Sequence, residues 1–294
     1  MPSKECTMWF DWSLLNTLYN DIIQEVLSNW QSLVQTDSHE ESLHSFLAEH
    51  AGLFFIRPYT YIVISKLRLG ADYETDFVVT RDWWSAGLRY ELVEIETPHK
   101  APFNNKGNPS AYLSEAVQQI QSWKMWIRDN PQEVRRLFPA KDLAFDYTVV
   151  IGNRANTRQW LDRRNHYSRE LGVSIRSFEY LSDLLLSNNF AWFSSLGGSE
   201  GREIPLGLRN AIANPFFSAT TGRAWKHLLR DISVSGPHGF PVVAPSHFVP
   251  KYADAIIRHR RYNKYLRMFT QRYIADDRPS LSDFQALYEA MRPR

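Results

Sequence analysis

The chain has 294 residues, 44% of them hydrophobic and 22% charged, and a net charge of +2, a profile that excludes wholesale disorder and fits one large domain or a core with an accessory unit. Its single cysteine, Cys6, excludes an internal disulfide framework and a cysteine-cluster zinc site, and fits a reducing, cytoplasmic setting. There is no apolar run of about eighteen residues, and the opening MPSKECTMWFDWS lacks a signal-peptide core, so no membrane association is expected.

From Trp12 to Val34 the apolar residues Leu14, Leu15, Leu18, Ile22, Val26, Trp30 and Val34 recur at helical spacing and predict one amphipathic helix. Thr36-Asp37-Ser38 is an N-cap cluster, with Glu40 and Glu41 in the first turn of a second helix that Gly52 is expected to end. The period then changes. Tyr59–Leu69, Thr75–Thr80 and Tyr90–Glu96 predict three strands, the first two joined by a Gly70-Ala71-Asp72 turn and the third stopped by Pro98.

A loop from Phe103 to Pro109 leads into a helix over Ser110–Arg128, with Leu113, Val117, Ile120, Trp123 and Ile127 on its apolar face. Phe145–Gly152 predicts a strand buried on both faces. A helix over Thr157–Leu171, a short strand (VSIRSF) and a helix (LSDLLL) follow. The order is that of a mixed α/β layer whose first three strands form a meander. Beyond about Asn189 the texture shifts: Gly197–Gly201 is a flexible break and Pro205–Val249 has little periodicity. Tyr252–Tyr273 predicts a helix, and Ser280–Asp283 caps a terminal one.

The chemistry sits in YELVEIE. In a strand, Tyr90, Leu92, Glu94 and Glu96 share one face, and the two glutamates lie about 6.5–7 Å apart. Like charges on an otherwise apolar strand repel each other and resist burial, and a divalent cation would relieve both costs. Asp76, inside the apolar TDFVV, supplies a third carboxylate against β-propensity. Hard cations take carboxylate oxygens and keep waters for chemistry. The plain alternative is a solvated sheet face for the glutamates. For Glu40 it is a dipole partner at a helix start, and for Gln119 an ordinary surface position.

Taken in order, Glu40 with LHSFL, then TDFVV, LVEIETPHKAPF and EAVQQIQSW, resembles the Shedu family of antiphage nucleases within the PD-(D/E)XK superfamily. The likeness continues through YTVVIGNR and VSIRSFEYLSDLL, so it covers roughly residues 38–188. It implies a restriction-endonuclease-like core over 38–190, a helical N-terminal extension over 1–37 and a C-terminal accessory region over 191–294. It further implies a Mg²⁺- or Mn²⁺-dependent endonuclease acting on DNA, and self-association into a homo-oligomer. On the family's pattern Asp76 and Glu94 bind the metal, Glu40 supports it and Gln119 helps position the site. Glu96 stands where a lysine is usual, as ligand or general base. The missing positive charge would come from Lys100, His99 or Lys66, with His99 and Lys100 as candidate phosphate contacts.

There is no P-loop, so no nucleoside triphosphate is implied. Between Lys251 and Tyr273 seven Lys/Arg face a single acid, Asp254. Arg258, Arg261, Lys264 and Arg267 on that predicted helix are candidate DNA contacts, against the plainer reading of a solvated basic face. The rival to a nuclease is an inactive nuclease fold that binds DNA or scaffolds a defence complex.

Overall fold

A computed structural model describes residues 12–36, 39–55, 60–82, 88–139, 143–155, 160–187, 215–234, 256, 259–266 and 268. Helix α1 (Trp12–Gln35) realises the first amphipathic pattern: Ile22, Val26 and Trp30 are buried, and the Trp30 ring stacks on Phe46 and Phe178. α2 (Glu40–Glu49) starts behind His39, which gives no side-chain cap; Asp37 and Ser38 of the expected cap lie outside the described residues. Gly52 does not end this helix. It sits inside α3 (Ala51–Phe55), where a Cβ would stand 2.1 Å from the Pro215 carbonyl oxygen, so the glycine serves a close chain approach.

The strands β1 (Thr60–Leu69), β2 (Tyr73–Asp82) and β3 (Leu88–Ile95) form the expected antiparallel meander. Gly70, at φ 67°, makes the first turn. α4 (Ala111–Asp129) is capped by the Ser110 hydroxyl, which accepts from Leu113 N, and α5 (Pro131–Leu137) follows. β4 (Ala144–Val150) then pairs parallel with β3, as a helical crossover requires. Only its second half is buried, so the expectation of burial on both faces is corrected for Ala144–Tyr147. α6 (Leu161–Leu171), β5 (Ser174–Arg176) and α7 (Phe178–Ser187) complete this run, with β5 parallel to β4.

The described residues after 214 include strands β6 (Phe217–Ser218) and β7 (Thr220–Thr221), helix α8 (Gly222–Val234) and strand β8 (Arg261–Tyr262). β7 pairs parallel with β1 and makes a six-stranded sheet of order β5-β4-β3-β2-β1-β7. Helices flank the sheet. Tyr90 and Leu92 face the α5 side, where the Tyr90 hydroxyl donates to Pro139 O at 2.7 Å; Val93 and Val79 face Phe55 and Leu181 on the other. Two readings are corrected here. Pro205–Val249 contains α8, and the helix expected over Tyr252–Tyr273 is interrupted by β8, whose backbone pairs with β6. The Gly197–Gly201 break and the terminal helix at Ser280 lie outside the described residues.

Candidate active site

β2 and β3 pair from Asp82↔Leu88 to Phe77↔Val93 and then part. One more step of that register would set Asp76 against Glu94, and directly opposed residues share a sheet face. Instead of that ladder step, Asp76 Oδ2 accepts from Ile95 N at 2.7 Å, while β3 turns its pairing toward β4. The aspartate therefore sits in a fork between two strands. This is the local reason for an acid in an apolar strand: it satisfies a backbone donor that the ladder abandons.

On the same face, Lys66 of β1 lies across from Asp76, and its Nζ stands 2.5 Å from Asp76 Oδ1. Lys66 has φ 51°, the left-handed region, and no other non-glycine residue among those described shares it. Such backbone strain costs on the order of 1–3 kcal/mol and persists only where surrounding structure enforces it. Burial pulls the Lys66 pKa down, but the Asp76 bond and the charges of Asp76, Glu74 and Glu94 outweigh it and raise it.

Glu94 is 6% exposed, and its Oε2 is buried without a hydrogen-bond partner. Burial first, then the charges of Asp76, Glu96 and Glu40, push its pKa up to about 10. Glu96 follows the strand and keeps its backbone tied to β4 through Val150 O; its carboxylate accepts from Lys100 Nζ at 3.0 Å. Glu40 opens α2. Partial burial of its carboxyl, then the charges of Asp76 and Glu96, raise its pKa too. The four acids predicted from sequence thus form one electrostatic cluster.

The other predicted residues stand further out. Gln119 is exposed on α4, with no hydrogen bond or ion pair to the acids among the described residues; it lies two turns after Tyr112, whose ring is 4.4 Å below Lys100 Nζ. His99 donates from Nε2 to Thr36 O at 3.0 Å, which ties the loop after β3 to the end of α1. Arg261 is exposed on β8, and Lys264 bonds Glu25 at 3.2 Å. Arg258 and Arg267 lie outside the described residues.

Sequence reasoning missed His44. Its ring stacks on Phe77 and its Nε2 donates to the Asp76 carbonyl oxygen at 3.3 Å, bracing the Asp76 backbone from the opposite sheet face. Burial lowers its pKa, which favours the neutral ring. The only signal available was its place one helical turn after Glu40.

The acids suit a hard divalent cation. Glu94 Oε2 is an orphaned buried acceptor, and Asp76 and Glu96 offer further oxygens beside it. Among the described residues, no three His, Cys, Asp or Glu side chains already stand in ligand geometry. Mg²⁺ does not need that, since it binds through one or two carboxylates and keeps its waters.

Residues 37–179 match the family model described as Shedu protein SduA, C-terminal. This segment, which carries all four acids, places that part of the chain in the Shedu family. Membership points to antiphage defence as its setting. No curated protein matches the chain significantly. Among the described residues no helix is long and apolar enough to cross a membrane.

Proposed function

We propose that this Shedu protein is a Mg²⁺- or Mn²⁺-dependent endonuclease that hydrolyses DNA phosphodiesters, on a PD-(D/E)XK core. The observation that carries the reading is Glu94: a buried glutamate with an unpartnered oxygen, held among three other acids at the mouth of a strand fork. No packing requirement calls for it there.

In this reading Asp76 and Glu94 hold the cation. When bound, it supplies water activation and neutralises charge on the phosphoryl oxygens. Ile95 N–H holds the Asp76 carboxylate and His44 braces the Asp76 backbone carbonyl, so the direction of the carboxylate needs no reorganisation. Glu96 accepts the proton of the attacking water, and Lys100 Nζ, 3.0 Å from its carboxylate, holds it in place. Lys66 supplies the positive charge that the family places two residues after Glu94. It reaches the site from the neighbouring strand rather than from β3, and can leave Asp76 for a phosphate oxygen.

Incubating supercoiled and linear DNA with the protein and Mg²⁺ or Mn²⁺ tests this, with Asp76→Ala and Glu94→Ala beside wild type. Metal-dependent products from wild type alone support the enzyme; an inert wild type under every metal overturns it. One observation favours the rival scaffold reading: Lys66 and Lys100 already neutralise Asp76 and Glu96. DNA binding without any cleavage would be its signature.

A further inference from the structure

Helix α8 is amphipathic in a way that leaves a purely basic stripe. Trp225, Leu228 and Leu229 are buried, and the Trp225 indole donates to Leu137 O at 2.9 Å. Arg223, Lys226, His227 and Arg230, at i, i+3, i+4 and i+7, form one exposed row. That row does not face open solvent alone. It forms one wall of a cleft of about 560 Å³, and Lys66 and Arg68 of β1 form the other.

The cleft has five Lys or Arg and a single acid, Glu74, which is engaged by Arg68 at 3.4 Å. Neither Arg223 nor Lys226 meets a carboxylate among the described residues. A solvated helix face would not converge with cations from a strand across a gap. The two walls are held at fixed separation: β7 pairs with β1 at Ser65↔Thr221, and Gly222 lets α8 begin against the Lys66 backbone, where a Cβ would lie 2.6 Å from Lys66 O. Lys66 belongs to both places. Its backbone underlies the start of α8, and its Nζ touches Asp76.

We propose that this cleft is the docking groove for the DNA phosphate backbone, with Arg223, Lys226 and Arg230 tracking successive phosphates and Lys66 handing the chain to the acids. The inference rests on the nuclease reading and deepens it by naming where the substrate lies. Phosphate contacts give register and affinity without reading sequence, so the groove accepts duplexes of any sequence.

The test uses the full chain with Ca²⁺ in place of Mg²⁺ and a fluorescein-labelled duplex, read by anisotropy across a salt series. Arg223→Ala/Lys226→Ala should weaken binding by about fivefold to tenfold per residue and lower the salt slope by about two. The loss should be equal on unrelated sequences. Arg128→Ala, an exposed arginine at the far end of α4, should leave both values unchanged. Hydrolysis of the small diester bis(p-nitrophenyl) phosphate should be the same in the double variant and wild type, since the acids are untouched. A double variant that binds DNA with wild-type affinity and slope overturns this groove alone. A wild type that binds no duplex overturns the groove and the nuclease reading together. Matching melting temperatures exclude misfolding, and Arg223→Lys/Lys226→Arg should restore the slope.

Discussion

Lys66 Nζ meets Asp76 Oδ1 at 2.5 Å from a backbone bent into the left-handed region, so the shortest ion pair of the site hangs on its one non-glycine residue of positive φ among those described. The strained residue also lies under a close chain approach. The Lys66 carbonyl must pass under Gly222, at the point where β7 gives way to α8.

Lys66→Gly and Lys66→Ala separate strain from charge. Both lose the cation beside a buried aspartate, and each should cut DNA-cleavage kcat by about 10²-fold or more. Glycine tolerates the positive φ and alanine does not, so Lys66→Gly should be the more stable by about 1 kcal/mol in urea unfolding. That reverses the usual strand preference, in which glycine is the worse residue. An alanine variant as stable as the glycine variant would contradict an enforced left-handed backbone.

Asp76 holds both a chemical and an architectural position, and two substitutions divide them. Asp76→Asn keeps an oxygen for Ile95 N–H; Asp76→Ala leaves that donor buried and unpaired. Both should abolish metal-dependent cleavage. Only the alanine variant should also lose about 1–3 kcal/mol of stability, measured by chemical denaturation.

How much of this was legible beforehand depends on distance along the chain. The meander and the helix after the Phe103–Pro109 loop follow from local alternation, helical spacing and turn residues, because those signals act within a few positions. His44 and Lys66 acquire their roles from a neighbour strand ten or more residues away: Lys66 is one of three candidate cations in the sequence, with nothing in ISKLR to choose it, and His44 shows only its place one turn after Glu40. β6 and β7 are two residues long and exist only through pairing with β8 and β1, so no local pattern announces them. α8 begins at a glycine after two threonines, within a stretch of scattered Pro and Gly, so no local signal announces the helix or its basic row. Ring spacing continued across Arg261–Tyr262 and suggested an unbroken helix; the ladder to Phe217–Ser218 prevailed over that propensity.

Gly52→Ala tests how firmly residues 215–234 are seated. The added methyl would stand 2.1 Å from the Pro215 carbonyl and 2.8 Å from the Phe217 ring, both parts of the segment that leads to β7 and α8. Alanine suits a helix interior, so the local preference is stabilising by roughly 1 kcal/mol. Overpacking should outweigh it, with a net loss of about 1–2 kcal/mol and faster proteolysis near residues 215–234. If the segment carries the DNA groove, affinity for duplex should fall in parallel while the small-diester rate holds.

The pH response of the metal-free protein follows from Glu94. Its folded pKa of about 10 lies far above the ordinary carboxylate value, so between these limits the folded state binds the extra proton. Stability from this group is therefore fully present below about pH 4.5 and is lost as pH rises toward 10, by roughly 3 kcal/mol already at pH 7. Glu94→Gln should remove that slope and raise the melting temperature of the metal-free protein at pH 8. A bound Mg²⁺ or Mn²⁺ requires the ionised form, so binding should release a proton and tighten as pH rises. Titration calorimetry in two buffers of different ionisation enthalpy reads the proton directly. Metal binding with no buffer dependence, or a Glu94→Gln variant that keeps wild-type affinity for the ion, would remove Glu94 from the ligand set and leave Asp76 and Glu96 to hold the cation.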